Sequence, residues 1–173
     1  MKYIIASDIH GSAYYMKKLS NIINELQVDK LVLLGDILYH GPRNPLPKDY
    51  NPMEVVEMLT AFKDKIIWIK GNCDSEVDEM VLNMKSINEG IININNKNFY
   101  LAHGHNEINN LSKGDYLVTG HTHINKYEEK NGIHYLNPGS ISLPKENTTN
   151  SFILIEENIK CLDLDLNLIF EVK

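Results

Sequence analysis

Five times in its first 125 residues this chain carries a short apolar run that stops at a glycine beside an Asp, Asn or His. The first run, Tyr3-Ile4-Ile5-Ala6, leads into Ser7-Asp8-Ile9-His10-Gly11, and later ones end at Gly35-Asp36, Gly71-Asn72-Cys73-Asp74, His103-Gly104-His105 and Gly120-His121-Thr122-His123. A brief apolar run bounded by such punctuation reads as a buried strand. Loops that leave the same end of a sheet meet at one edge, so a chain with this pattern is expected to gather these polar residues in one place. Within the first loop, residues i and i+2 point the same way, which lets Asp8 and His10 present a carboxylate and an imidazole to a common point.

The length of 173 residues suits one domain spanning 1–173, with 43% hydrophobic residues to supply its core. A net charge of −6 opposes a nucleic-acid partner, because phosphate backbones are held by clustered Lys and Arg. No basic segment followed by an apolar one opens the chain, and no apolar run reaches the ~20 residues that span a bilayer. Only Cys73 and Cys161 occur, too few for a disulfide framework. The expectation is a soluble, cytoplasmic protein with no membrane partner, and a homo-oligomer stays allowed.

A strand over Lys2–Ala6 is followed by a helix over Ala13–Gln27, where Met16, Leu19, Ile22, Ile23 and Leu26 recur at helical spacing. Lys30–Leu34 is a second strand. Asn51-Pro52 starts a second helix through Val55, Val56, Leu59 and Phe62. Between them, Pro42, Pro45 and Pro47 make Tyr39–Asn51 an irregular excursion that begins directly after Asp36. Strands follow at Lys65–Ile69, Ile91–Ile94, Asn98–Ala102, Tyr116–Thr119, Lys126–Glu129, Ile133–Leu136, Phe152–Ile155, Ile159–Leu164 and Leu168–Val172, with Asn131-Gly132 as a hairpin turn. This order predicts an α/β domain in which two sheets pack as a β-sandwich flanked by helices, a four-layer arrangement.

Asp8, His10, Asp36, Asn72, His103, His121 and His123 all lie just past predicted strands. Three or four ligands hold one metal. Seven oxygen and imidazole donors suit two, with one carboxylate bridging them. A His- and Asp-rich set without a Cys cluster favours Mn, Fe, Zn or Ni over Ca or a structural zinc. Taken singly, each histidine reads equally as an ordinary polar residue at a strand end; the joint pattern carries the inference.

The ordered motifs Asp8-Ile9-His10, Gly35-Asp36, Gly71-Asn72-Cys73-Asp74, His103 and Gly120-His121-Thr122-His123 resemble the calcineurin-like metallophosphoesterase superfamily. Gly41-Pro42-Arg43-Asn44 and Asn137-Pro138-Gly139-Ser140 strengthen a resemblance to its small bacterial phosphodiesterases. The resemblance implies two divalent ions per chain, manganese first among the candidates. It places one with Asp8, His10, Asp36 and His123, and bridges it through Asp36 to a second held by Asn72, His103 and His121. It implies hydrolysis of a small phosphodiester by attack of a metal-bridging hydroxide, with a phosphomonoesterase or a non-catalytic protein-binding scaffold of the same fold as alternatives.

One departure stands out: most of the superfamily has a His after the motif Asn, thought to protonate the leaving group, and this chain has Cys73. A thiol is a poor substitute for an imidazolium, so substrates with good leaving groups are favoured. Candidate catalytic residues are therefore Asp36, Asn72, Cys73 and His105, the last facing substrate, supporting a ligand or serving only in a turn. Arg43 is a candidate phosphate contact or a solubilising surface residue, His40 and His134 read as packing or surface histidines, and Asn137-Pro138-Gly139-Ser140 reads as a tight turn supporting the metal loops.

Overall fold

The computed structural model describes residues 1–106 and 108–173. In chain order these form β1 (Tyr3–Ala6), α1 (Ala13–Glu25), β2 (Lys30–Leu33), α2 (Pro52–Thr60), β3 (Ile66–Trp68), α3 (Glu76–Leu82), β4 (Glu89–Ile94), β5 (Lys97–Ala102), β6 (Tyr116–Thr119), β7 (Asn125–Lys130), β8 (Ile133–Pro138), β9 (Ser151–Ile155), β10 (Ile159–Asp163) and β11 (Leu168–Val172). One sheet has the order β11-β10-β9-β1-β2-β3 and the other β4-β5-β6-β8-β7. β1, β2 and β3 run parallel because α1 and α2 carry the chain back between them.

Period-2 alternation divides the core. In the first sheet Ile4, Ala6, Leu31, Leu33, Phe152 and Leu154 face α1 and α2. Their neighbours Ile5, Val32, Leu34, Ile153 and Ile155 face Phe99, Leu101, Val118 and Leu136 of the second sheet. Two mixed sheets flanked by helices are thus as expected. Met16, Leu19, Ile22 and Ile23 of α1, Val55, Val56 and Leu59 of α2 and Leu82 of α3 lie in the cluster on the outer face of the first sheet.

Local signals account for the element ends. Ser12 caps α1 and Asn51 caps α2, each accepting a backbone N–H with its side chain. The first helix stops at Glu25, two residues short of the expectation, because Gln27 turns left-handed with φ 51°. α3 is an addition to the expected elements, closed by a capping box in which Ser75 and Asp78 satisfy each other's backbone N–H groups. Asn137 and Pro138 end β8 rather than forming a turn, which starts at Gly139 with φ 77°. No helix among the described residues is long and apolar enough to cross a membrane.

Candidate metal centre

The parallel strands β1, β2 and β3 and the parallel pair β5 and β6 point their C-terminal ends to one edge of the sandwich. The loops leaving them bring all seven candidate ligands together. Five of these residues, Asp8, His10, Asp36, His121 and His123, have positive φ between 50° and 66°. Asp and His tolerate this region better than most residues, yet such a concentration is what a site imposing its geometry on the backbone produces.

Hydrogen bonds fix the side chains. His10 Nδ1 lies 2.8 Å from the Tyr39 carbonyl, His103 Nδ1 2.6 Å from that of Leu34, and His123 Nδ1 2.7 Å from that of Leu143. A carbonyl only accepts, so each Nδ1 carries the proton and each Nε2 is turned inward. The Nε2 atoms of His10 and His123 stand 3.2 Å apart and lie 3.5 and 3.2 Å from Asp8 Oδ1. That oxygen is buried and has no hydrogen-bond donor, while Asp8 Oδ2 accepts from Ser7 Oγ and the His121 N–H. Three ligand-type atoms therefore converge on one point, where positive charge, as a proton on a histidine or as a cation, offsets their repulsion.

A second cluster lies alongside. His103 Nε2 is 3.0 Å from Asn72 Oδ1, 3.3 Å from His121 Nδ1 and 3.5 Å from Asp36 Oδ1. The other carboxylate oxygen of Asp36 faces the first cluster, 3.7 Å from His10 Nε2. Asp36 is thus the side chain common to both. Asp8, His10 and His123 are buried, whereas Asn72 is exposed and His121 partly so, which makes the second cluster the more open. The donor chemistry fits divalent metal.

Charge supports the fit. Burial works against ionising Asp8 and Asp36, but hydrogen bonds and charge from the neighbouring histidines outweigh it and hold both carboxyls below their usual range. Burial likewise opposes charge on His103, yet the Asp36 hydrogen bond and the nearby carboxylates raise it to about 9. Burial and the His103 charge push His121 down. Without a cation, His103 therefore holds a proton at neutral pH that a metal must displace. Calorimetric addition of Mn²⁺ in buffers of differing ionisation heat should show proton release at pH ~7 that declines as pH rises through about 9. Release unchanged across that range would contradict this description of the site.

Side chains to which the sequence reading gave no contact of their own hold the loops. The Asp74 carboxylate accepts from the N–H groups of Asp36, Ile37 and Gly71 and from Trp68 Nε1, at 2.7–3.2 Å, tying the loop after β2 to the loop after β3. Ser140 and Ser142 donate to the Asp8 carbonyl, and Asn137 Nδ2 donates to the Gly120 carbonyl and Thr122 Oγ1. The supporting role expected for 137–140 is present, delivered by side chains.

An open cleft of about 390 Å³ lies over Asp36, Asn72, His121 and His123, walled by Gly41–Pro45 of the proline-rich excursion, by Cys73 and by Lys145. Arg43 is therefore at the cleft, and Lys145 joins it from a part of the chain that no motif marks. The Cys73 N–H donates to Asp36 Oδ1 at 2.8 Å. Burial, and then the Asp36 charge, push its thiol up to about 12. His105 is exposed, its ring centroid 5.4 Å from that of His103, and it does not line the cleft. His40 packs between Tyr39 and Tyr50, and His134 stacks on Tyr116.

Residues 1–159 match the model of the calcineurin-like phosphoesterase superfamily domain. The chain belongs to that superfamily. It is 37% identical to phosphodiesterase YfcE of Escherichia coli K12 over 164 residues, covering 92% of this chain and 89% of that one. The solved structure of the E. coli YfcE phosphoesterase superposes with a TM-score of 0.95, covering 99% of this chain and 98% of the other. Vacuolar protein sorting 29 from Cryptosporidium parvum shares the fold, with a TM-score of 0.65 at 20% identity over 99% and 97% of the two chains.

Proposed function

We propose that this superfamily member, one domain across 1–173, is a dinuclear metal-dependent phosphodiesterase acting on small phosphodiesters. That it is a phosphoester hydrolase follows from its family. The finer reading rests on one observation: two ligand clusters meet at the two oxygens of Asp36, with Asp8 Oδ1 left bare in the first. Asp8, His10, Asp36 and His123 would hold one ion, and Asp36, Asn72, His103 and His121 the other. Nitrogen and carboxylate donors without a thiolate suit manganese, with iron, zinc or nickel as alternatives. Bound there, such ions would supply Lewis-acid activation of water and charge neutralisation at the phosphoryl oxygens.

The chain's own residues do the rest. Arg43 and Lys145 place positive charge at the cleft and draw in an anion although the protein is acidic. Asp74 and the paired serines keep the ligand loops in register, so that little reorganisation is left for the reaction. Both cysteines are free thiols, which suits a reducing compartment such as the cytoplasm.

The test is turnover of bis-p-nitrophenyl phosphate against p-nitrophenyl phosphate by the Mn-loaded protein, with and without EDTA. The diester should be preferred and chelation should abolish its hydrolysis. Activity surviving exhaustive chelation would overturn the mechanism. Equal turnover of the monoester would move the assignment to a phosphomonoesterase, and no turnover with both ions bound would leave a binding scaffold.

Cys73 gives a sharper expectation. Its thiol stays protonated and is too weak an acid to assist a basic leaving group. Cys73→His should speed hydrolysis of alkyl-leaving-group esters by up to ~10²-fold to 10⁴-fold, and that of p-nitrophenyl esters far less. Cys73→Ala should leave p-nitrophenyl diester turnover within a few-fold. Its collapse with both metals retained would make the thiol itself a participant.

A further inference from the structure

A second groove, also of about 390 Å³, opens beside the metal cleft and is lined by Tyr39, Tyr50, Met53 and Val77. Cys73 lines both, so the two spaces adjoin at that residue. We propose that this groove seats an apolar ester group of the phosphodiester whose phosphate sits in the cleft. The inference rests on the phosphoesterase reading and adds a substrate class to it.

The walls of the groove are extensions of the loops that bear the ligands. Tyr39 lies three residues beyond Asp36, and its carbonyl accepts the His10 Nδ1–H. Val77 stands in the first turn of α3, which begins just past Asn72 and Cys73. The wall is rigid: the His40 ring lies edge-on to both Tyr39 and Tyr50, with centroids 4.8 and 5.2 Å away. Tyr50 packs so tightly on Gly11, next to His10, that a Cβ there would come within 2.6 Å of its ring. An ester group on a phosphate bound at the metals would meet this surface in a fixed orientation.

Charge and exposure select the occupant. The cleft has Arg43 and Lys145, whereas the groove has no Lys, Arg or His. Its one acidic residue, Asp78, accepts the Ser75 N–H at 2.7 Å as part of the helix cap. A second phosphate or a carboxylate would find no counter-charge there. Tyr39, Met53 and Val77 are 42%, 57% and 63% exposed, apolar surface that a neutral ring or alkyl chain would remove from water. An apolar cavity of about 150 Å³ accommodates benzene, so the space suffices. Aromatic walls and a methionine suit a ring in particular.

The experiment measures binding of methylphosphonate and benzylphosphonate to the metal-loaded protein by calorimetry, because both present the same anionic head. Benzylphosphonate should bind about tenfold more tightly or better, the range that modest apolar contacts in a pocket provide. Met53→Gln and Val77→Thr, neutral polar changes at exposed positions, should erase the advantage and leave methylphosphonate affinity unchanged. Equal affinities in the unsubstituted protein, or an advantage that survives both substitutions, would overturn the groove alone. Failure of methylphosphonate to bind a chain carrying both metals would overturn the proposed dinuclear phosphodiesterase site and the groove with it.

Discussion

Asp36→Asn should lower kcat on bis-p-nitrophenyl phosphate by about 10³-fold or more and reduce the metal content from two ions towards one. In the proposed assignment Asp36 serves both clusters, Oδ1 towards His103 and Oδ2 towards His10. An amide has one oxygen, no charge, and an NH₂ that cannot bind a cation. Losing a bridging charge removes several kcal/mol of transition-state stabilisation, and each 1.36 kcal/mol is a factor of ten. The fold should survive, because the amide oxygen can still accept the Cys73 N–H and the backbone N–H stays on Asp74. Near-normal rate and two bound ions would show that Asp36 does not bridge.

Much of this arrangement is legible in the sequence for a physical reason: parallel strands buried on both faces are short apolar runs, and the loops at their C-terminal ends must lie on one edge. That logic reaches Asp8, Asp36, Asn72, His103 and His121, the residues that leave β1, β2, β3, β5 and β6. It does not reach side chains whose partners are distant in sequence. Asp74 can be read only as a motif neighbour until its four donors, from β3 and the loops after β2 and β3, are seen. Lys145 reaches the cleft from a segment without periodicity or motif. α3, at seven residues, is too short to show a helical period, although Ser75 and Asp78 carried its capping signal.

The close approach of the loops after β2 and β3 gives the second large effect, Gly71→Ala. Gly71 does not have a positive φ, so alanine is acceptable to its backbone and any damage is steric. A Cβ at Gly71 would clash with Asp36 Oδ1 and the Asp36 backbone nitrogen, with Asp36 Cγ at 3.0 Å. Neither loop can yield easily. Asp74 grips the N–H groups of both Asp36 and Gly71, and the Asp36 carbonyl accepts the His10 N–H at 2.9 Å. Overpacking of this kind costs about 1–3 kcal/mol, a fall in Tm of about 2–12 °C for a chain of this size. The displaced carboxylate should cost far more in function, since a shift of about 1 Å at a reacting centre loses about 10²-fold in rate. Metal content should fall as well, because the displaced group belongs to both clusters. The expected signature is therefore a modest loss of stability, read by thermal melting, joined to a large loss of metal and turnover. A variant that melts lower but keeps both ions and its rate would show that Asp36 can move without consequence, and the tight junction of Gly71 with Asp36 would then be packing alone.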